Sequence, residues 1–211
     1  FGPPGSGKGT QAGMLGKKLK LPVISTGDLF RAEIKRKTAI GKKVKKILAD
    51  GKLVSDIIVY KILDRRLLKN DVTKGFILDG FPRNKKQLDY VVRKIKKLIL
   101  KEDIIYSIFV DVSDKEVQSR ISGRRICACG ASYHIRYNPP RVKDYCDSCG
   151  AKIQIRKDDK PDVVRKRLKL YHKEIKPVLA YWEKEKELIR INGGRSIKKV
   201  HSGIIKKLKE V

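Results

Sequence analysis

Gly2-Pro3-Pro4-Gly5-Ser6-Gly7-Lys8-Gly9-Thr10, at the start of the chain, is the stretch that decides the fold. Glycine, four residues, Gly7 and then Lys8 make the pattern of a phosphate-binding loop. Glycine lets the backbone turn inward, so successive N–H groups can face one anion. Lys8 is long enough to reach the terminal phosphates of a nucleotide. The usual Ser/Thr after the lysine is replaced by Gly9, with Thr10 one residue later. The plain alternative is a glycine-rich turn that only opens a helix. Such a loop follows a buried parallel strand, yet only Phe1 precedes Gly2. The expectation is that native N-terminal strand residues are missing from this sequence.

Outward from the loop, apolar runs alternate with amphipathic stretches. Helices are expected over 8–18, 29–37, 42–50, 55–69, 84–100, 114–122, 162–187 and 196–209, with Gly41 and Gly51 as breaks. Strands are expected at 21–24, 76–78, 104–112 and 188–191, short apolar runs of the kind buried in parallel sheets. Strands alternating with helices predict an α/β fold of the P-loop NTPase type: a parallel sheet with helices on both faces. Ligands then bind beyond the carboxyl ends of the strands. The phosphate loop, Thr26–Asp28 and Asp79–Arg83 all fall at that edge. Residues 123–159 break the pattern with Cys, Gly, Pro and Tyr, as an inserted lid would.

The chain has 211 residues, 40% of them hydrophobic, enough for one domain with an insertion. No apolar run approaches a membrane span and no secretory signal is visible, so a cytoplasmic monomer with no membrane partner is expected. The formal charge is +29, from 52 basic and 23 acidic residues, which favours anionic partners. A basic nucleic-acid-binding protein is therefore the rival from another class. Against it, the lysines lie in helical segments such as Lys42-Lys43-Val44-Lys45-Lys46, interrupted by apolar residues, and read as solvated faces. Aromatics make up only 7%, leaving no stacking platform, and no specific nucleic-acid binding is expected.

The four cysteines, Cys127, Cys129, Cys146 and Cys149, sit in that one insertion. Clustered, in a chain with no export signal, they suggest metal rather than disulfides. Four thiolates suit a closed tetrahedral zinc site, which would replace hydrophobic stabilisation in a segment too small for a large core. Four free thiols in a packed lid are the alternative. The first knuckle is C-x-C and the second C-x-x-C, so Cys127 is the ligand most at risk and His134 a conceivable substitute. His172 and His201 read as structural or surface residues, and Tyr171 and Trp182 as core or groove lining.

Phosphoryl transfer needs alignment and positive charge more than covalent help. Arg83 follows Asp79-Gly80-Phe81-Pro82, and Arg31 sits a turn past Gly27-Asp28. Arg120 and Arg124 bracket the start of the insertion, and Arg156 and Arg167 lie at and beyond its end. The guanidinium fork matches phosphate oxygens in pairs.

Phe76-Ile77-Leu78-Asp79-Gly80-Phe81-Pro82-Arg83 followed by Gln87, with Gly5 to Thr10, Ser25-Thr26-Gly27-Asp28-Leu29-Phe30-Arg31 and Arg165-Lys166-Arg167-Leu168, resembles adenylate kinase of the long-lid bacterial type over nearly the whole chain. The resemblance implies a Mg2+-dependent reaction of ATP and AMP to two ADP. It implies a core of residues 1–24, 55–122 and 160–211, a helical AMP-binding segment of 25–54 and a lid of 123–159. Gly5, Ser6, Gly7, Lys8, Gly9 and Thr10 would hold the ATP phosphates. Arg120, Arg124, Ser132, Tyr133 and the backbone near Arg195 would complete the ATP site. Thr26, Arg31, Lys52, Leu53, Val54, Gly80, Phe81, Pro82, Arg83 and Gln87 would line the AMP site, with Arg156 and Arg167 reaching it too. Gln87 and Thr26 would meet its base, and Arg31 and Arg83 its phosphate. Lys8, Arg83, Arg124, Arg156 and Arg167 would surround the transferring phosphoryl, with Arg120 alongside. Asp79, with Asp28 as a second candidate, would hold Mg2+ through water. A kinase for another monophosphate, or one using GTP as donor, is the alternative within the class.

Overall fold

The computed structural model describes residues 1–95 and 104–210. The phosphate loop turns straight into α1 (Lys8–Leu19). Gly7, the residue before it, is left-handed (φ 91°), a conformation that glycine adopts without strain. No side chain caps α1, so its first N–H groups stay turned toward the loop. β1 (Val23–Ser25) leads without a break into α2 (Thr26–Lys35), because the Ser25 hydroxyl accepts from Asp28 N–H as the helix cap. Thr38, Asn84 and Ser113 cap α3 (Ala39–Ala49), α5 (Lys85–Tyr90) and α6 (Asp114–Ser122) in the same way. Each such cap contributes about 1 kcal/mol. α4 (Asp56–Leu67) and β2 (Ile77–Asp79) precede α5, and β3 (Ser107–Asp111) precedes α6. The inserted segment 123–159, expected to be a lid, holds β4 (Arg124–Ile126) and β5 (Ser132–His134), and after it come α7 (Pro161–Lys184), β6 (Leu188–Asn192) and α8 (Ile197–Glu210).

Among the described residues the parallel strands form two pairs. β1 pairs with β2 (Ser25 opposite Asp79) and β3 with β6 (Asp111 opposite Asn192). Phe1 lies alongside β3, its carbonyl accepting from Val110 N–H at 2.9 Å. The expected helix over 84–100 is α5 continued by a π-helical turn at Val91–Ile95; the rest lies outside the described residues. No helix of the described residues is long and apolar enough to cross a membrane.

Two apolar clusters hold the domain. Ile24, Leu63, Phe81, Leu88 and Trp182 fill one, and Val110, Val117, Ile121, Leu168, Ile191 and Ile204 the other. α7 joins them. Val164 and Leu168 face the second cluster, and Ile175, Val178 and Trp182 the first, at helical spacing. Each such side chain, fully buried, contributes about 1.5–3 kcal/mol. The lid has a core of only Cys127, Tyr133, Cys146 and Ile153 around the antiparallel β4–β5 pair.

Candidate active site

The carboxyl ends of β1 and β2 open onto a cleft with about 1120 Å³ of empty space, its open mouth included. Thr26, Arg31, Lys52, Leu53, Val54, Gly80, Phe81, Pro82, Arg83 and Gln87 line it from one side. Lys8 lines it from the phosphate loop, and Arg156 and Arg167 from the far side. Every residue assigned to the acceptor nucleotide from sequence therefore meets one space.

The turn from β2 to α5 is built around the Gly80 carbonyl. Thr26 Oγ1 donates to it at 3.0 Å and Arg83 Nε at 2.6 Å. Gly80 is left-handed (φ 74°), and a Cβ there would stand 2.8 Å from Arg83 Nη2. The Phe81–Pro82 peptide is cis. Arg83 N–H donates to Gln87 Oε1 at 2.8 Å, and Gln87 Nε2 donates to Asp56 Oδ1 at 2.8 Å. Burial lowers the Arg83 pKa, with Asp79 opposing and Arg31 adding to the shift. Arg31 pairs with Asp28 on its own helix.

In the phosphate loop, Lys8 Nζ donates to the Pro3 carbonyl at 3.1 Å. Burial pulls its ammonium down to about 7; Asp79 opposes this, while Arg83, Arg167 and Arg124 push the same way. Ser6 Oγ is buried with no hydrogen-bond partner among the described residues. Asp79 comes close beside the loop, its Oδ2 3.3 Å from where a Cβ on Gly9 would stand. Gly9 and Thr10 are exposed on the first turn of α1.

The lid arginines gather around two carboxylates that the sequence reading did not single out. Arg124 binds Asp159 through two bonds, one of them Nε to Oδ2 at 2.8 Å. Arg156 binds Asp158 through two bonds of 3.0 Å. Arg167 Nη1 reaches the Asp158 carbonyl at 2.9 Å, its carboxylate at 3.0 Å and Asp159 Oδ1 at 3.5 Å. Burial works to raise the Asp158 pKa, but Arg156, Arg167 and Arg124 outweigh it and hold the carboxyl below its usual range. Burial brings Arg167 down to about 10, against the pull of Asp158. Two adjacent acids between arginines, in a chain with few acids, were the available signal.

The residues assigned to the donor nucleotide are more dispersed. Arg120 ties two loops together, donating to the Ser6 carbonyl at 3.2 Å and the Gly193 carbonyl at 2.7 Å while pairing with Glu116 at 2.8 Å. Arg195 is exposed on the loop after Gly193, and Ser132 is exposed on the lid. Tyr133 departs from expectation. Its ring is lid core, and its hydroxyl sits 3.3 Å from Cys146 Sγ and accepts from Asp147 N–H at 2.8 Å. Of the three tyrosines of this segment it is the buried one, whereas Tyr137 and Tyr145 are exposed.

The four cysteine sulfurs lie within 4.8 Å of one another, with Cys127–Cys149 at 3.4 Å and Cys129–Cys146 at 3.6 Å. Sulfurs about 2.3 Å from a tetrahedral zinc would be about 3.8 Å apart, so this donor set fits. The short first knuckle still brings Cys127 into the group. His134 stays outside it: its Nδ1 accepts from Arg136 and Tyr137 N–H groups at 3.0 and 3.1 Å.

The family model described as Adenylate kinase matches residues 1–187. Adenylate kinase of Methanocella arvoryzae is 44% identical over 205 residues, covering 97% of this chain and 94% of that protein. Adenylate kinase of Agathobacter rectalis is 43% identical over 209 residues, with 97% and 95% covered. Adenylate kinase of Clostridium acetobutylicum is 41% identical over 214 residues, with 100% and 98% covered.

Proposed function

The chain belongs to the adenylate kinase family, and we propose that its cleft moves the terminal phosphoryl of ATP to AMP, reversibly, giving two ADP. One observation carries the reading. Lys8, Arg31, Arg83, Arg156 and Arg167 open onto a single space that also holds Gln87. With Lys52, six cationic side chains line this one cleft, which suits the phosphates of two nucleotides meeting end to end.

The chemistry then divides among the residues as follows. The N–H groups of Gly5 to Thr10 and Lys8 hold the donor phosphates. Arg31 and Arg83 hold the AMP phosphate, while Gln87 and Thr26 face its base. Arg124, Arg156 and Arg167 offset charge on the transferring group. Each guanidinium has five N–H donors, so its bonds to Asp158 or Asp159 leave others for phosphate oxygens. The acceptor is a phosphate oxygen already ionised near neutral pH, so no general base is required. Alignment and charge do the work. Asp79, beside the loop, would hold Mg2+ through water, and the ion supplies charge neutralisation on the donor phosphates. Asp28 is engaged by Arg31 and is the weaker candidate. The four cysteines would hold a structural zinc in the lid, which keeps water from competing with AMP.

The test is direct. Purified protein with Mg2+, ATP and AMP is followed by phosphorus NMR. Formation of two ADP per ATP and AMP consumed supports the reading, and an unchanged spectrum sinks it.

A further inference from the structure

The side-chain amide of Gln87 is held at both ends by partners of fixed polarity. Its Oε1 accepts from the Arg83 backbone N–H at 2.8 Å, and its Nε2 donates to Asp56 at 2.8 Å. A backbone N–H can only donate, and an ionised carboxylate can only accept. The amide therefore has one orientation. Turned by half a rotation, it would set N–H against N–H and oxygen against carboxylate, two repulsive contacts at a residue only 2% exposed.

Asp56 does more than hold that one bond. It stands in the first turn of α4, and the same Oδ1 accepts from Asn84 Nδ2 at 3.2 Å. That contact fixes the Asn84 amide with its oxygen toward Gln87 N–H, which it accepts at 2.8 Å as the cap of α5. One carboxylate oxygen thus orients both the Gln87 side chain and the backbone that carries it.

The locked amide keeps one N–H and one lone pair for a ligand, in a fixed order. A 6-aminopurine offers an amino donor beside a ring-nitrogen acceptor. A 6-oxopurine offers an oxygen acceptor beside a ring N–H, the reverse order. A freely rotating amide suits both, whereas a locked one leaves the wrong base unpaired. We infer that Asp56 is a positioning residue that sets the choice of 6-aminopurine over 6-oxopurine monophosphates at the acceptor site, acting through Gln87. The inference rests on the proposed meeting of Gln87 with the acceptor base.

The test compares kcat/KM for AMP and for IMP, with ATP as donor, in the unmodified chain and in Asp56→Asn and Asp56→Ala, with the melting temperature of each. Asparagine keeps the shape of aspartate but can turn either its oxygen or its NH2 toward Gln87, so the Asp56 end of the lock is released and only the Arg83 N–H still favours one orientation. The AMP-to-IMP ratio is expected to fall by about tenfold or more in both variants, the scale of one lost charge-assisted hydrogen bond. Asp56→Asn decides the matter if the alanine variant does not fold. A residue that only stabilised the fold would lower both substrates together, and an unchanged ratio overturns the inference. An unmodified chain that does not use AMP at all overturns instead the acceptor-site reading beneath it.

Discussion

Replacing Asp159 by alanine isolates the most deeply buried charge of the site. The Asp159 side chain is fully buried, while Arg124 and Arg167 beside it keep 18% and 19% exposure. Asp159 accepts two bonds from Arg124 and a longer one, 3.5 Å, from Arg167. Arg167 retains Asp158 at 3.0 Å, so its loss is small. Arg124 retains no carboxylate among its described bonds and becomes a cation with little water around it. Removing one partner of a buried pair costs about 3–5 kcal/mol, and the residual exposure of Arg124 argues for the lower end, about 3 kcal/mol. For a chain of this size that is a fall of about 6–12 °C in melting temperature, at roughly 2–4 °C per kcal/mol. Trp182, the only tryptophan, sits in the core on α7 and reports global unfolding by its fluorescence. The double change Arg124→Met with Asp159→Leu removes both charges and is expected to recover most of the loss, since a packed apolar pair often equals a buried ion pair. A melting temperature lowered by less than about 2 °C in Asp159→Ala refutes the argument. So does a double variant no more stable than the single one.

Other consequences are as accessible. Lys8 titrates near 7 before phosphate arrives, and phosphate raises its pKa, so binding takes up a proton. ATP affinity should fall by up to about tenfold per pH unit above 7, with calorimetric enthalpies that vary with the buffer; a flat profile between pH 7 and 9 contradicts this. Gly80→Ala forces a left-handed alanine whose methyl meets Arg83, and should lower kcat/KM for AMP on the order of 10–100-fold while sparing ATP affinity in isothermal titration. Arg124→Ala should depress turnover more than substrate affinity in steady-state kinetics, and a change confined to KM would remove Arg124 from the transferring group. Elemental analysis should find one zinc per chain, lost on chelation with a drop in melting temperature; four freely reactive thiols without zinc would exclude the site.

Much of the cleft wall assigned to the acceptor nucleotide was legible in the sequence because its residues fall in short stretches. Asp79 to Arg83 and Gln87 form one turn, and Thr26 to Arg31 one helix. Periodicity also placed most of the helices: the 114–122 expectation coincides with α6, and the others shift by a few residues at their ends, apart from 84–100, which is α-helical only to Tyr90 and lies partly outside the described residues. Legibility failed where partners are distant in the chain. Nothing near Asp56 announces its bond to Gln87, 31 residues away. Asp158 and Asp159 matter through three arginines spread over residues 124–167, which only folding gathers. The lid strands are three residues long, too short to show alternation. Tyr133 misled because a motif position does not say which way a ring turns when the surrounding core is so small.

Ser25 is both the final residue of β1 and the cap of α2, so strand and helix are spliced without a spacer. The bearing of α2, and with it the aim of Thr26 and Arg31, is inherited from the strand like a bracket welded to a beam. At the other end of this arm, Gly51 is wedged against Val163 on α7. Between Gly51 and α4 lie the irregular residues 52–55, of which Lys52, Leu53 and Val54 form part of the cleft wall, so a shift of Gly51 would carry that stretch of wall with it.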